Sequence, residues 1–496
     1  MNDMYQLQNI VLKDNYNHII SQYAFEYIFQ SALFHDDANN MDIPYNVRYL
    51  SKIKKLDLNN NVSEITEFPY AGAYLKRIIN PSGGVVEYNT ITRISSIKYY
   101  NNRTDTNPVK TTTFDYHSFA DNSVFSGYLV FPDGDINQDP YIIYKNVKVS
   151  NSDDNNGYTK YYYKAPDDYP KEDYIINGNT VKLWRYYNII SGGLLDKKEV
   201  YDAQNKLLVS EKSDYTLDDV PGAEVYISDL NQLLGSPGYD HYKLGWMKKL
   251  VNTSTTYFDN NQTVEESSET NFNVFNFETA STKSTIDGDV IEKFITYPES
   301  GYPKLASSHI LTVPVIMEDK TNGKLASKTE TKFDNLSSTL PTSVVTTNIN
   351  DTSTRNVTID QYDDKGNVLQ YTAMGGFSTA VVYGYDKTKP IAKIEGATYA
   401  QVSPYIQAII DASNADAADS SKEYLLYNAL NDLRVLPQLK DFQITGYTYD
   451  PLIGATQVIQ INGISTYYMY DSNNRLVKVY DGGIKTKEYK YNYKNQ

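Results

Sequence analysis

The chain has 496 residues, a formal net charge of −15 and no cysteine. The acidic balance argues against nucleic acid or an anionic membrane as the main partner, because both reward clustered Lys and Arg. The lack of cysteine excludes disulfides, thiolate catalysis and Cys-based zinc sites.

Tyrosine occurs 48 times, against 16 Phe and 2 Trp. Its ring is apolar and its tip polar, which suits half-buried positions on a sheet. With abundant Thr, Val, Ile and Asn, this composition predicts a mainly β chain. No apolar run reaches 18 residues, so no membrane insertion by a helix is expected. The opening, MNDMYQLQNIVLKDNYNHII, lacks the basic, apolar and small-residue regions of a secretory leader. The chain is therefore expected to be a piece of a longer protein or an exported chain without its leader, with a cytoplasmic protein as the alternative.

Residues 1–60 read as an N-terminal β segment continuing from an upstream part, with extended aromatic runs such as QYAFEYIFQSALF. A β-rich region, 61–190, follows. It holds two strand-like runs around Pro81-Ser82-Gly83-Gly84, where Pro fixes φ and Gly supplies positive φ for a hairpin. Within this region, Asp133, Asp135, Asn137 and Asp139 in FPDGDINQDPY are spaced by two. Oxygen ligands at that spacing can converge on Ca²⁺ in a looped backbone. An EF-hand would need Gly at 138 and Glu at 144, where Gln138 and Tyr144 stand, so a solvated loop is the simpler reading. No other cofactor is expected.

From 191 to 396 strand–turn–strand units dominate. Residues 397–436 differ: Tyr405, Ala408, Ile409 and Ala412 recur at helical spacing, as do Tyr424, Leu425, Ala429, Leu430 and Leu433. This spacing predicts two short helices, inserted between repeats and packed on the sheet. Further repeats fill 437–496.

The repeats share one cassette. Tyr201-Asp202 is followed by Asn205, Tyr362-Asp363 by Gly366, and Tyr470-Asp471 by Asn474, each three residues after the Asp. Asp can accept a backbone N–H two residues on, and Gly or Asn tolerates positive φ. The pattern predicts a type I turn closed by a left-handed residue, joining two strands. These aspartates thus read as turn formers rather than acids or bases. Tyr449-Asp450 is a longer variant with Gly454 one position late, and Tyr385-Asp386 a weaker copy. Tyr468 and Tyr470, two apart, share one strand face, so tyrosines of stacked repeats are expected to form a ladder. One hairpin cannot bury its own face, so neighbours must join a continuous antiparallel sheet.

The stretch GISTYYMYDSNNRL resembles the tyrosine–aspartate repeat of RHS-type proteins, GxxxRYxYDxxGRL. Gly463, Tyr468, Tyr470, Asp471, Arg475 and Leu476 match; Tyr467 and Asn474 stand where Arg and Gly are usual. The order YGYDKTKPIAKIEGATYAQV, then helices, is similar to RHS-repeat proteins of the Bacteroidetes type. The resemblance implies a sheet that spirals into a shell, an extracellular or cell-surface setting, and a protein partner or cargo. Exposed tyrosines, whose flat faces can stack on sugar rings or peptide, add a surface glycan as the alternative partner. The signature that precedes a C-terminal toxin in some members is lacking.

Histidines fall at no metal-ligand spacing, and HExxH, GxSxG, Walker A and GxGxxG are absent. The sequence reading is therefore a non-catalytic structural or binding protein. The alternatives are the shell fragment of an RHS toxin and a glycoside hydrolase, since plentiful carboxylates leave room for an acid pair.

Overall fold

The computed structural model describes residues 6–13, 17–36, 41–72, 74–90, 93–130, 141–152, 157–176, 178–223, 244–286, 288–298, 301–348, 353–451 and 453–491. The fold is mainly β. Among the described residues, 28 strands belong to one antiparallel sheet that does not close on itself. Where ladders are resolved, a strand most often pairs with the next in sequence, the outcome expected of hairpin after hairpin.

The chain divides into two compact units. One comprises 1–93, 98–109 and 355–496; the other comprises 94–97 and 110–354.

In the first unit, two helices, Gln407–Ala418 and Glu423–Arg434, lie on one face of the sheet. They follow the short helical turns Tyr399–Val402 and Ser403–Tyr405. Thr398 opens this segment with a capping box, its backbone N–H given to Gln401 Oε1 at 2.8 Å. Ala380, Val382, Ile391, Ala392, Ile394, Ile444 and Ile459 of the strands meet Val402, Ile406, Ile409, Leu426, Leu430 and Leu433 of the helical segment in one apolar core. The second helix buries Leu426, Leu430 and Leu433, an i, i+4, i+7 stripe. Tyr424 and Leu425, expected on that stripe, are instead exposed, because they fall a quarter-turn or more away from it. Arg434 closes the helix, giving hydrogen bonds to Ile444 O and Gln460 O (2.7 Å each) and Ile461 O (2.9 Å).

The second unit is built differently. Strands Leu207–Asp219, Gly245–Tyr257, Thr263–Phe272 and Thr279–Ile286 are Ser-, Thr- and charge-rich and mostly half-buried. Ser213, Asn252, Ser268 and Ser284 stand in register across four of them. Cross-strand pairs such as Lys198–Glu211 (3.0 Å) and Lys249–Glu269 (3.1 Å) line the surface. Among the described residues, its apolar clusters are small, one around Ile190 and Val130 and one around Leu305 and Val315.

Candidate functional site

The Tyr-Asp cassettes form one backbone device. In each, the Asp N–H bonds to the carbonyl four residues on, and the N–H three residues on bonds back to the Asp carbonyl: Asp202 with Lys206 and Asn205, Asp363 with Asn367 and Gly366, Asp471 with Arg475 and Asn474. Asn205, Gly366 and Asn474 have φ of 66°, 86° and 61°. The ladder shifts register at Tyr201, Tyr362 and Tyr470, as a type I turn with a left-handed bulge residue requires.

The Asp carboxylates are committed to this turn. Asp363 Oδ1 accepts the N–H groups of Lys365 (2.9 Å) and Asn367 (2.8 Å), and its Oδ2 accepts Asn367 Nδ2 at 2.9 Å. Asp471 Oδ1 accepts from Asn473 (2.9 Å) and Arg475 (3.0 Å), and Oδ2 accepts Arg475 Nε at 2.9 Å. Burial raises both carboxyls, but these hydrogen bonds outweigh it and hold them below the usual range. Asp202 accepts from Gln204 (2.9 Å) and Lys206 (2.8 Å).

Sequence reading missed a fourth Asp-led copy, Asp57 to Asn61, because Leu56 replaces the tyrosine. Asp57 Oδ1 accepts from Asn59 and Asn61 (2.9 and 2.8 Å), and Asn60 has φ 64°. The same backbone pattern, without Asp, recurs from Asn80, Phe258, Ala373 and Gln460. The hairpin at Pro81–Gly84 and the weaker copy TTYFDNNQT are read from the sequence; the signal that would have found the turns from Ala373 and Gln460 is a Gly three residues after the first.

The tyrosines of the cassettes have individual partners. Tyr201 stacks on Tyr158 with ring centroids 4.9 Å apart, and its hydroxyl gives a 2.8 Å bond to Glu199, which also accepts from Tyr162 at 2.7 Å. Burial and then that carboxylate push the Tyr201 hydroxyl up to about 12. Tyr362 is raised by burial alone. Tyr468 and Tyr470 are half-buried on one strand face, whereas Tyr467 and Met469 are exposed on the other. Tyr470 lies over Gly454 and donates to Ala455 O at 3.0 Å; a Cβ at Gly454 would stand 2.3 Å from the Tyr470 hydroxyl. Ala455 sits in the neighbouring hairpin, so this contact ties one repeat to the next through a hydroxyl rather than through stacked rings. Asp450 pairs directly with Gly454 in the ladder, and Gly454 does not need positive φ. Asp133, Asp135, Asn137 and Asp139 lie outside the described residues. Among the described residues, no three His, Cys, Asp or Glu side chains gather as metal ligands.

Two features were not foreseen. The first is a buried hydroxyl–carboxyl pair. Tyr385, Asp386 and Lys387 take φ of 50°, 56° and 62°, a left-handed run that L-residues avoid. The first helix holds it: Tyr385 N–H donates to Ser413 Oγ (3.2 Å) and Asp386 N–H to Asn414 Oδ1 (2.9 Å). The Tyr385 hydroxyl donates to Asp416 Oδ2 at 2.6 Å and accepts from Tyr449 N–H at 2.9 Å, and the two rings meet edge to face at 5.7 Å. Burial, with Glu423, Asp450 and Asp419 nearby, raises the Asp416 carboxyl to about 7 against the lowering hydrogen bond from Tyr385. The Tyr449 hydroxyl is pushed up to about 12 by burial, with Tyr447 and Tyr383 adding.

The second feature is a groove of about 570 Å³. The helices cover the strands from Ser378 to Ile459; on the next strand, Ser465 opposite Ile459 is still buried, and Tyr467 opposite Gln457 is exposed. Where the helical layer stops, Glu423, Tyr424 and Tyr427 form one wall. Gln457, Tyr467 and Tyr480, in register on three adjacent strands, form the floor. Glu423 Oε1 accepts hydrogen bonds from Thr448 Oγ1 (2.6 Å) and Thr456 Oγ1 (2.5 Å), which fix the carboxylate. Tyr427, Ser465 and Gln457 surround the Tyr467 hydroxyl, which burial raises above its ordinary value. Gln457 is only 3% exposed, yet its Nε2 makes no hydrogen bond of ordinary geometry.

No family profile matches the sequence, and no curated protein matches it. Among solved structures, TcdB2-TccC3 without its hypervariable C-terminal region is similar over 95% of this chain and 28% of its own, at 9% identity and a TM-score of 0.46. The Tc holotoxin pore of Photorhabdus luminescens aligns with 98% of this chain and 27% of its own, at 9% identity and a TM-score of 0.15. A porin-like protein from Bacteroides uniformis aligns with 63% of this chain and 96% of its own, at 11% identity and a TM-score of 0.14. The chain spans less than a third of the length of the two toxin chains.

Proposed function

We propose that this chain is a non-catalytic scaffold of the RHS type, a repeat sheet that forms part of the wall of a larger polypeptide or complex. In this reading it works outside the cell or at its surface and holds a partner rather than transforming a substrate. The observation that supports it is the fate of the Tyr-Asp carboxylates. Each accepts two backbone N–H groups of its own turn, so the most repeated acidic motif of the sequence is spent on closing hairpins.

The test compares the full chain with a variant carrying Asp202→Asn, Asp363→Asn and Asp471→Asn on a panel of polysaccharides and peptides. Retention of any ligand without product, by both proteins, supports the scaffold. Product formed by the parent and lost in a folded triple variant overturns it, because the carboxylates would then be catalytic.

A further inference from the structure

We propose that the groove at the edge of the helical layer binds a quaternary ammonium group, such as that of choline; this rests on the reading of the chain as a binding scaffold and gives it a ligand class. The first observation is charge. Glu423 is the charged side chain of the lining, and among the described residues no Lys or Arg lines the groove or pairs with it. Its Oε1 is held by the hydroxyls of Thr448 and Thr456, while Oε2 accepts no hydrogen bond from the described residues. A half-buried carboxylate fixed in this way and left without a counter-charge favours a cation, and the net charge of −15 raises the local concentration of cations. The second observation is the rings. Tyr424 and Tyr427 on the wall and Tyr467 and Tyr480 on the floor line the groove. Tyr424 is 60% exposed and Tyr467 39%, so these rings are open to a ligand. The Tyr467 hydroxyl lies within hydrogen-bonding reach of Tyr427, which ties floor to wall. An aromatic face attracts a cation held within about 6 Å of the ring centroid. Elsewhere the chain covers such faces with its own cations, Lys148 over Tyr158 at 4.0 Å and Lys197 over Tyr162 at 4.2 Å. Among the described residues, none stands over the four tyrosines of the groove.

The lining chooses among cations. A primary ammonium carries three N–H donors and is strongly hydrated, so it needs several acceptors in place of water. The groove offers it one free carboxylate oxygen, while the Tyr427 and Tyr467 hydroxyls face each other and Gln457 lies beneath against Tyr467. A guanidinium, with five donors, fares worse. A quaternary ammonium has no donor to satisfy. Its charge is spread over methyl groups, which pack on the tyrosine faces and on the exposed Met469 while Glu423 balances the charge. An anion would meet Glu423 with no cation in the lining to receive it.

Isothermal titration of the full chain with choline chloride, referenced to sodium chloride at equal ionic strength, tests this. Two companions isolate the chemistry: 3,3-dimethylbutan-1-ol, which has the shape of choline without its charge, and n-butylammonium, which has the charge with N–H donors. Saturable binding of choline is expected, with both companions about tenfold weaker or more, and with a loss of about fivefold or more in Tyr424→Ala and in Glu423→Gln. Tyr424 is exposed, so its variant keeps the parent's thermal midpoint and decides the matter alone if Glu423→Gln fails to fold. Cosedimentation with phosphatidylcholine vesicles assigns the source: capture that free choline displaces makes the ligand a lipid headgroup, and no capture makes it a free cation. Lack of saturable choline binding, equal binding of either companion, or binding unchanged in Tyr424→Ala overturns the proposal. None of these outcomes touches the scaffold reading, which fails only if product appears.

Discussion

The helix-backed part of the sheet, from Ser378 to Ile459, and the Ser/Thr-rich strands between Leu207 and Ile286 use the same antiparallel ladder to different ends. The first has a second layer, so Ala380, Val382, Ile394, Leu426 and Leu430 are sealed from water. The second has few sealed side chains and relies on ladder hydrogen bonds and on pairs such as Lys249–Glu269. A dry layer also makes polar groups consequential. It raises Asp416 and fixes Glu423, whereas carboxylates of the open strands such as Glu211 and Glu269 reach solvent.

The largest expected effect breaks the comparison if it fails. Leu430→Ala, in the sealed core, should cost about 2–5 kcal/mol by lost transfer energy and a cavity. Val251→Ala, on a half-buried strand of the second unit, should cost about 1 kcal/mol or less. Denaturant unfolding of both variants checks this, and equal losses would mean that the second unit is also covered.

Asp416 makes the comparison pH-dependent. Its folded value of about 7 lies above the usual 3.8, so the folded state holds a proton that the unfolded state has released between those values. Stability from this group is full below about pH 4, falls as pH rises to about 7, and is level above. At 1.36 kcal/mol per unit, the ceiling is about 4 kcal/mol. Thermal unfolding from pH 4 to 8 should show this fall in the parent and a flatter profile in Asp416→Asn. A parent that gains stability over that range through this group would contradict the burial argument.

The turn device should act alike in both units, at Asp363 in one and Asp202 in the other. Gly366→Val forces a β-branched residue to positive φ and should cost about 1–3 kcal/mol. Asp363→Asn and Asp202→Asn should each cost well under 1 kcal/mol, since Asn also leads such turns. Unfolding midpoints measure both, and a large Asp363→Asn loss would assign the carboxylate more than a turn. At the small end, Lys249→Ala should change stability by less than about 0.5 kcal/mol and lose even that at high salt.

Much of the local architecture was legible in the sequence. The period-two strands, the positive-φ positions at Asn205, Gly366 and Asn474, and the helical segment within 397–436 follow from backbone sterics and spacing, which act over a few residues. The Asp57 turn was hidden because the cassette was keyed on tyrosine, although the turn itself requires only Asp and a left-handed Asn. The helix stripe was placed on Tyr424 and Leu425 because spacing gives a period but not its phase.

What the tertiary structure alone decided is which distant residues share a dry space. Tyr385, Asp416 and Tyr449 meet across 31 and 64 residues, and Glu423 meets Thr448 and Thr456 across 25 and 33. No local spacing encodes such meetings, since they depend on where the helical layer lies and where it stops. The sequence by itself determined a repeated β-sheet with Asp-led turns, because propensity and turn chemistry are properties of neighbours. Burial, and with it the raised Asp416 carboxyl, is a property of the packed layers.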